Sequence, residues 1–423
     1  MKDETSDRRT FLKTAGAVGA FTILKPALVR GTEANSAVRV GLLGCGRRGG
    51  SHANTIIQHT SARMTALADL FQDQLDAEKK KVDAAAEKKG YSGVAQTWVG
   101  PGACEQMAES KDVDAIVIAT PAYFHPEHLR VAVEAGKHVY LEKPVAVDVA
   151  GTKRVLEIAK KAEGKTTLDV GFQIRSAPPY VEIARRIHAG ALGDIAAAEA
   201  HYYCPAPDDR RWTGATGDVL RVRNWIQDRV LSGDIIVEQN IHVLDVANWV
   251  LQGHPVSAIG RGSHNGRNAP GDDCYSHFDV IFRYPNDVHL SFNSTQFGKG
   301  PFEVSERFFG TKGAAQLPYS GPFGIDGEEK WMWAGSENQG AAQFSASGSF
   351  TDNLAQADPE KQKGFIESIT SGKLHNQAAQ GVESALTAML GRRAGYTGRE
   401  VTWDELVKSN EHWDAKIDVH KLA

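Results

Sequence analysis

Val38-Arg39-Val40-Gly41-Leu42-Leu43-Gly44-Cys45-Gly46-Arg47-Arg48-Gly49-Gly50 is the stretch on which the fold turns. Its first six residues are short, apolar and bounded by glycine, the pattern of a strand buried in a parallel sheet. Ser51 to His59 then reads as a helix. A G-x-G-x-x-G triplet alone is weak evidence, but between a strand and a helix each glycine has a physical task. Gly44 permits the tight turn, Gly46 lets backbone approach a pyrophosphate, and Gly49 lets helix and strand pack closely. The helix N-terminus offers unpaired N–H groups and the positive end of its dipole to phosphate oxygens. A purely structural glycine turn is the competing reading.

Outward from this loop, Arg63 to Leu70 reads as a second strand that closes with Asp69, 25 residues after Gly44. A carboxylate at that place can accept hydrogen bonds from ribose hydroxyls and repels a 2′-phosphate, which favours NAD over NADP. Arg47 and Arg48, in the loop itself, could reach such a phosphate and leave NADP open. Gln72–Lys88 reads as a charged helix, and Ala95–Val99, Asp114–Ala119 and His138–Leu141 as strands. This alternation predicts a doubly wound parallel sheet, whose ligands bind beyond the carboxyl ends of the strands. Two such ends carry Thr120-Pro121-Ala122-Tyr123-Phe124-His125 and Glu142-Lys143-Pro144. Gly164-Lys165-Thr166 resembles the end of a phosphate-binding Walker loop, but Ala159 stands where that motif needs glycine, and a helical segment precedes it.

Composition narrows the function classes. The 423 residues allow two or three domains. With 48 Lys and Arg against 52 Asp and Glu, a net charge of −4 excludes a broad basic surface for nucleic acid. Cys45, Cys104, Cys204 and Cys274 are too dispersed for a disulfide framework or a structural zinc site. His125 and His128 flank Pro126 and have no third ligand in prospect, so no metal site is expected. At the N-terminus, Arg8-Arg9 with Phe11-Leu12-Lys13 precedes an apolar run of eleven residues, Thr14 to Leu24. Since ~20 residues are needed to span a bilayer, this reads as an export signal and not as a stable membrane span. The arginine pair resembles the twin-arginine type, which exports proteins already folded, and implies a periplasmic or otherwise exported protein. Ala27-Leu28-Val29 and Asn35-Ser36-Ala37 are both imperfect cleavage sites. The chain thus divides into a signal and linker (1–36), a dinucleotide-binding domain (37–172) and a substrate and oligomerisation domain (173–423).

After residue 195 the pattern changes to alternating strands: Ala196–Tyr203, His277–Tyr284 and Asp287–Ser294, the last two joined by Pro285-Asn286 as a hairpin. Gly335–Ser349, rich in Gly, Ser and Ala, reads as a loop. Pro359–Gly372 and Ala378–Tyr396 read as helices.

Six motifs in order carry a resemblance to the glucose–fructose oxidoreductase/inositol dehydrogenase (Gfo/Idh/MocA) family: the glycine loop, Thr120-Pro121 with Glu142-Lys143-Pro144, Gly171-Phe172-Gln173-Ile174-Arg175, Ile241-His242-Val243-Leu244-Asp245, Phe309-Gly310-Thr311-Lys312-Gly313 and Gly391-Arg392-Arg393-Ala394. The resemblance implies an α/β Rossmann N-terminal domain joined to an α+β C-terminal domain with a large, mostly antiparallel open sheet. The far face of that sheet is then an oligomer surface, implying a homo-oligomer. It implies that Lys143 lies near the nicotinamide and a substrate hydroxyl, and that Glu142, Thr120, Pro121 and His125 lie near the cofactor. His242 matches the family's histidine, but the position four before it is Glu238 instead of aspartate. At that spacing Glu238 and His242 share a helix face.

Oxidation of a secondary alcohol sends a hydride to nicotinamide and a proton to a base. Histidine suits the proton transfer, and a lysine ammonium stabilises developing alkoxide charge. His242 as base, Lys143 as its electrostatic partner and Glu238 beside them form the expected catalytic set. Arg175, Tyr202, Arg223, Asn224, Trp225 and Asn240 are expected contacts for a sugar or cyclitol, with Asp245 supporting His242. Two other functions stay open: glycoside cleavage through transient oxidation and elimination with tightly held NAD, and a catalytically silent sugar-binding relative.

Overall fold

The computed structural model describes residues 37–206, 212, 214–267 and 271–422. Arg8-Arg9, the apolar run after them and both imperfect cleavage sites, apart from Ala37, lie outside the described residues.

The quoted stretch forms β1 (Arg39–Leu43) and opens α1 (Arg47–His59). The helix begins four residues before the apolar periodicity does, because its first turn is Arg-Arg-Gly-Gly, with Gly46 as an extended N-cap that makes no side-chain cap. The chain continues through β2 (Arg63–Asp69), α2 (Gln72–Lys88), β3 (Gln96–Val99), α3 (Ala103–Glu109), β4 (Ala115–Ile118), α4 (His125–Glu134), β5 (His138–Leu141), α5 (Val149–Ala162) and β6 (Leu168–Val170). The six strands pair in the order β3-β2-β1-β4-β5-β6, every neighbour parallel. The order reverses between β1 and β4, so their carboxyl ends diverge into a crevice.

After α6 (Pro178–His188) come β7 (Ile195–Cys204) and four helices: α7 (Gly217–Arg223), α8 (Arg229–Ser232), α9 (Ile235–Glu238) and α10 (Ile241–Leu251). Seven strands follow: β8 (Ser257–Ser263), β9 (His277–Arg283), β10 (His289–Gln296), β11 (Glu303–Gly310), β12 (Gly313–Pro318), β13 (Gly324–Gly327) and β14 (Trp331–Met332). The chain closes with α11 (Ala357–Ser371), α12 (Ala378–Thr397), β15 (Val401–Thr402) and α13 (Trp403–Ser409). The second sheet has nine strands in the order β14-β13-β12-β11-β7-β10-β9-β8-β15, antiparallel throughout except for β7 beside β10. The β9–β10 turn over Pro285–Asp287 places Asn286 and Asp287 at φ of 60° and 59°, a conformation their short polar side chains tolerate. Along β7 the alternate residues Ala198, Ala200, Tyr202 and Cys204 are buried on the face that α10 covers.

Two expectations are corrected. Glu238 and His242 do not lie on one continuous helix: the chain breaks at Gln239–Asn240, between α9 and α10. And α11, expected within the second domain, lies against the first sheet: Phe365 meets Tyr140 at 5.7 Å and Lys361 pairs with the buried Asp169. The sheets divide near residue 172, but the packing does not.

Candidate active site

The glycine loop leaves room at one place only. At Gly44 (φ 98°) a Cβ would stand 2.6 Å from Ala119 O, and at Gly49 1.9 Å from Gly44 O, so both glycines are closed in by backbone. At Gly46 a Cβ would meet nothing within 4 Å. It would project into the crevice where the first N–H groups of α1 have no acceptor in the helix. The loop therefore fits a diphosphate.

The crevice runs from this loop past Asp69, Phe71, Thr120, Pro121, Phe124 and His128 to Trp225. Asp69 is held at its far end, Oδ2 accepting from Cys45 N at 2.7 Å and Oδ1 from Phe71 N at 2.8 Å. Burial raises its pKa against these two bonds. Arg223, expected to touch the sugar, is instead at this end. Its guanidinium lies 3.9 Å above the Phe71 ring and pairs with Asp73 at 2.8 Å.

Arg48, by contrast, does not face the Asp69 end. Its Nε donates to Glu142 Oε1 at 2.7 Å, and its terminal nitrogens donate to Asp358 at 2.8 and 3.0 Å. Arg47 lines the pocket on the Lys143 side of the loop. Glu142 is turned inward, accepting from Arg48, from His52 at 2.6 Å and from Lys143 N at 2.9 Å. Burial works to raise its pKa, but Arg48 and His52 overcome this and hold it well below the usual carboxylate range. His125 is buried between Pro144 O at 2.7 Å and Thr120 O at 2.8 Å, and ties the two strand-end loops together without lining the crevice. A neutral imidazole can donate to only one of those oxygens at a time. The Thr120 hydroxyl and His128 Nδ1 share a hydrogen bond at 2.9 Å.

Lys143, Glu238 and His242 line one pocket with Tyr202 and Trp225. Lys143 Nζ donates to Glu238 Oε1 at 3.0 Å and to Glu238 O at 2.5 Å. The break between α9 and α10 makes that carbonyl available, since it ends a helix. His242 Nδ1 is buried and has no hydrogen-bond partner among the described residues. Burial first, and the Lys143 charge second, hold the ring well below the usual histidine pKa. At neutral pH it is an uncharged imidazole, the form that accepts a proton.

Besides Arg223, three expected substrate contacts do not line this pocket. Arg175 is committed to Asp245, at 2.9 and 3.0 Å, and stacks 5.4 Å from Trp249. Asp245 also accepts from Ser384 at 2.7 Å, so it serves Arg175 and α12, not His242. Asn240 is fully buried with neither amide atom paired among the described residues, and Asn224 Oδ1 is likewise unpaired. Conversely, Gln173, Gln239 and Gln296 line the pocket, and Phe344 to Gly348 with Phe350 roof it. The roof is held by Ser51 Oγ against Ser349 Oγ at 2.5 Å and by Gln173 Nε2 donating to Gly348 O at 3.3 Å. Its small residues and lack of periodicity read only as loop, with nothing to direct it to a ligand.

Among the described residues, no helix is long and apolar enough to cross a membrane. Residues 38–172 match the oxidoreductase family with the NAD-binding Rossmann fold, and residues 180–316 match the GFO/IDH/MocA C-terminal domain. The chain is 33% identical over 239 residues to inositol 2-dehydrogenase 4 of Saccharopolyspora erythraea, covering 56% of this chain and 60% of that protein. It is 28% identical over 302 residues to inositol 2-dehydrogenase of Acidothermus cellulolyticus, covering 69% of this chain and 77% of that one. In three dimensions it is similar to scyllo-inositol dehydrogenase from Lactobacillus casei, solved with NAD(H) and scyllo-inositol, with a TM-score of 0.66 and 20% identity over 87% of this chain and 99% of that one.

Proposed function

The chain belongs to the Gfo/Idh/MocA family of oxidoreductases and carries its NAD-binding domain, and from that premise we propose that it oxidises a secondary hydroxyl of a cyclitol or sugar. The observation that carries this reading is a neutral, unpaired His242 and a Lys143 ammonium in one pocket beside the nucleotide crevice. When bound, NAD supplies the hydride acceptor. Lys143 donates to the substrate hydroxyl and stabilises the charge that develops on its oxygen as the proton leaves. His242 takes that proton, and Glu238 holds the ammonium in place between its carboxylate and its main-chain carbonyl. Gln173 Oε1, unpaired among the described residues, and the Gln239 amide nitrogen offer neutral groups that recognise further hydroxyls, Gln296 being committed to Arg267 and Gln239. Tyr202 and Trp225 offer faces to the ring's C–H groups.

The inositol 2-dehydrogenase relatives support a polyol as substrate. The test is NADH production by the full-length protein with inositols, free sugars and aryl glycosides, each with and without added NAD. NADH formed from an inositol or sugar supports the reading. Release of the aryl group without net NADH replaces it with glycoside cleavage, and nucleotide binding without turnover of any compound replaces it with a silent binding protein.

Export through the twin-arginine route is part of the proposal and rests on Arg8-Arg9 and the apolar run after them. A protein that folds around its nucleotide before export needs no external pool. Replacing both arginines with lysine should retain the chain in the cytoplasm, and continued export of that variant sinks the assignment. The proposed homo-oligomer uses the outer face of the second sheet. There Ile259 and Ile281, directly paired across β8 and β9, are each 48% exposed.

A further inference from the structure

The loop that presents Lys143 is braced from the other half of the chain. Glu142 Oε2 accepts the Lys143 N–H, while Oε1 accepts from both Arg48 and His52. Those two donors are in turn held by α11. Asp358 takes both terminal nitrogens of Arg48, and Gln362 Nε2 donates to His52 Nδ1 at 2.9 Å. With Nδ1 accepting, the single proton of a neutral imidazole sits on Nε2, the nitrogen that faces Glu142. Asp358 and Gln362 are four residues apart and so share one face of α11. Neither lines the pocket.

We propose that Asp358 and Gln362 are positioning residues for Lys143, acting through Arg48 and His52 on Glu142 and through Glu142 on the Lys143 backbone. The inference rests on reading Lys143 as the partner of the substrate hydroxyl. Asp358 orients a guanidinium that would otherwise be free to swing into the pocket it borders. Gln362 selects the one tautomer in which His52 can donate to Glu142. Each thereby narrows the range of places the Lys143 ammonium can occupy, and transition-state stabilisation is sensitive to that placement. The competing explanation is that α11 only covers the first sheet, where Phe365 packs on Tyr140.

The test uses full-length protein saturated with NAD and four variants: Asp358→Asn, Gln362→Leu, the conservative Asp358→Glu, and Phe365→Leu, which loosens the packing of α11 without touching the polar chain. Hydrogen exchange at the Lys143 amide reads the brace directly, whether or not the substrate is known. kcat, KM, the Kd for NAD and Tm are measured beside it. Asp358→Asn and Gln362→Leu should each speed Lys143 exchange and lower kcat by about tenfold, the usual weight of one hydrogen bond to a charged group. KM and the NAD Kd should stay within about twofold. Asp358→Glu should restore most of the loss. Phe365→Leu should lower Tm with kcat and Lys143 exchange unchanged. Unchanged Lys143 exchange in both polar variants overturns the proposal, as does faster exchange with unchanged kcat, or losses that follow Tm across all four variants. Faster Lys143 exchange in a protein that turns over no polyol upholds the brace and overturns the dehydrogenase reading instead.

Discussion

Gly46 and His242 each test one half of the site. Valine at position 46 has open space for its Cβ, so the fold tolerates it, but its branches fill the place left for the diphosphate. The Gly46→Val protein should remain folded with its NAD Kd raised at least about a hundredfold, ~2.7 kcal/mol, as measured by calorimetry. For His242, burial and Lys143 push the pKa well below 6.5. The base is then already deprotonated across pH 6.5 to 8, and its protonation lowers kcat/KM only on the acid side of that range. His242→Asn should lower kcat by about 10²- to 10⁴-fold with NAD affinity unchanged, and should remove the acid limb of the profile. An acid limb that survives in the variant belongs to some other group.

The roof over the pocket is an element without regular secondary structure, and aromatic packing is what fixes it. Phe350 lies 5.0 Å from Tyr319 and is stacked 5.9 Å from Phe302, which Phe344 also meets at 5.7 Å. Phe350 and Phe344 thereby carry the intervening Ser345–Gly348 across the mouth of the site. Phe350→Ala removes two of these ring contacts, each worth about 0.5–1.5 kcal/mol. Steady-state kinetics should show KM for the hydroxyl substrate rising about tenfold, with the NAD Kd within about twofold of the parent. A change confined to NAD binding would instead assign the segment to the nucleotide crevice. The matched family regions end at residue 316, before this roof.

At the scale of the molecule, burial of neutral histidines sets an acid sensitivity. Burial holds His52, His125, His128 and His242 below the ordinary value, His128 at about 4. Between about 6.5 and those folded-state values the unfolded chain binds more protons than the folded one, so stability falls as pH drops through the window. The Tm should be lower at pH 5 than at pH 7. His128→Asn keeps an amide that can donate to or accept from the Thr120 hydroxyl, and removes one titrating group. It should narrow the Tm difference by about 2–4 °C in a thermal melt. The outer face of the second sheet gives a separate prediction: Ile281→Glu places a charge beside Ile259 and should shift the protein from oligomer to monomer in light scattering after size exclusion. A monomeric parent protein, or an oligomer unaffected by the charge, removes that face from the assembly.

The Rossmann half was legible because local signals and tertiary demands coincide there. Glycines closed in by backbone, apolar runs buried on both faces and a charged α2 with the bounds Gln72–Lys88 are all properties of short segments. Lys143, Glu238 and His242 were found through the family resemblance that their motifs carry, and the structure brings them to one pocket. Arg175, Arg223 and Asn240 were misplaced because a polar residue near a motif has no sequence mark for what its side chain meets: Asp245, Asp73 and a closed interior took them instead. The side chains that meet across long separations were beyond reach for the same reason. Arg48 and Asp358 stand 310 positions apart, as do His52 and Gln362. The sequence by itself determined the parallel sheet, the nucleotide loop and three strands of the second sheet, and the family resemblance supplied the rest of that sheet and the chemical groups of the site. Only the tertiary structure decided which charges those groups face, because burial and partner choice arise when α11 folds back onto the first sheet, and no local pattern encodes that return.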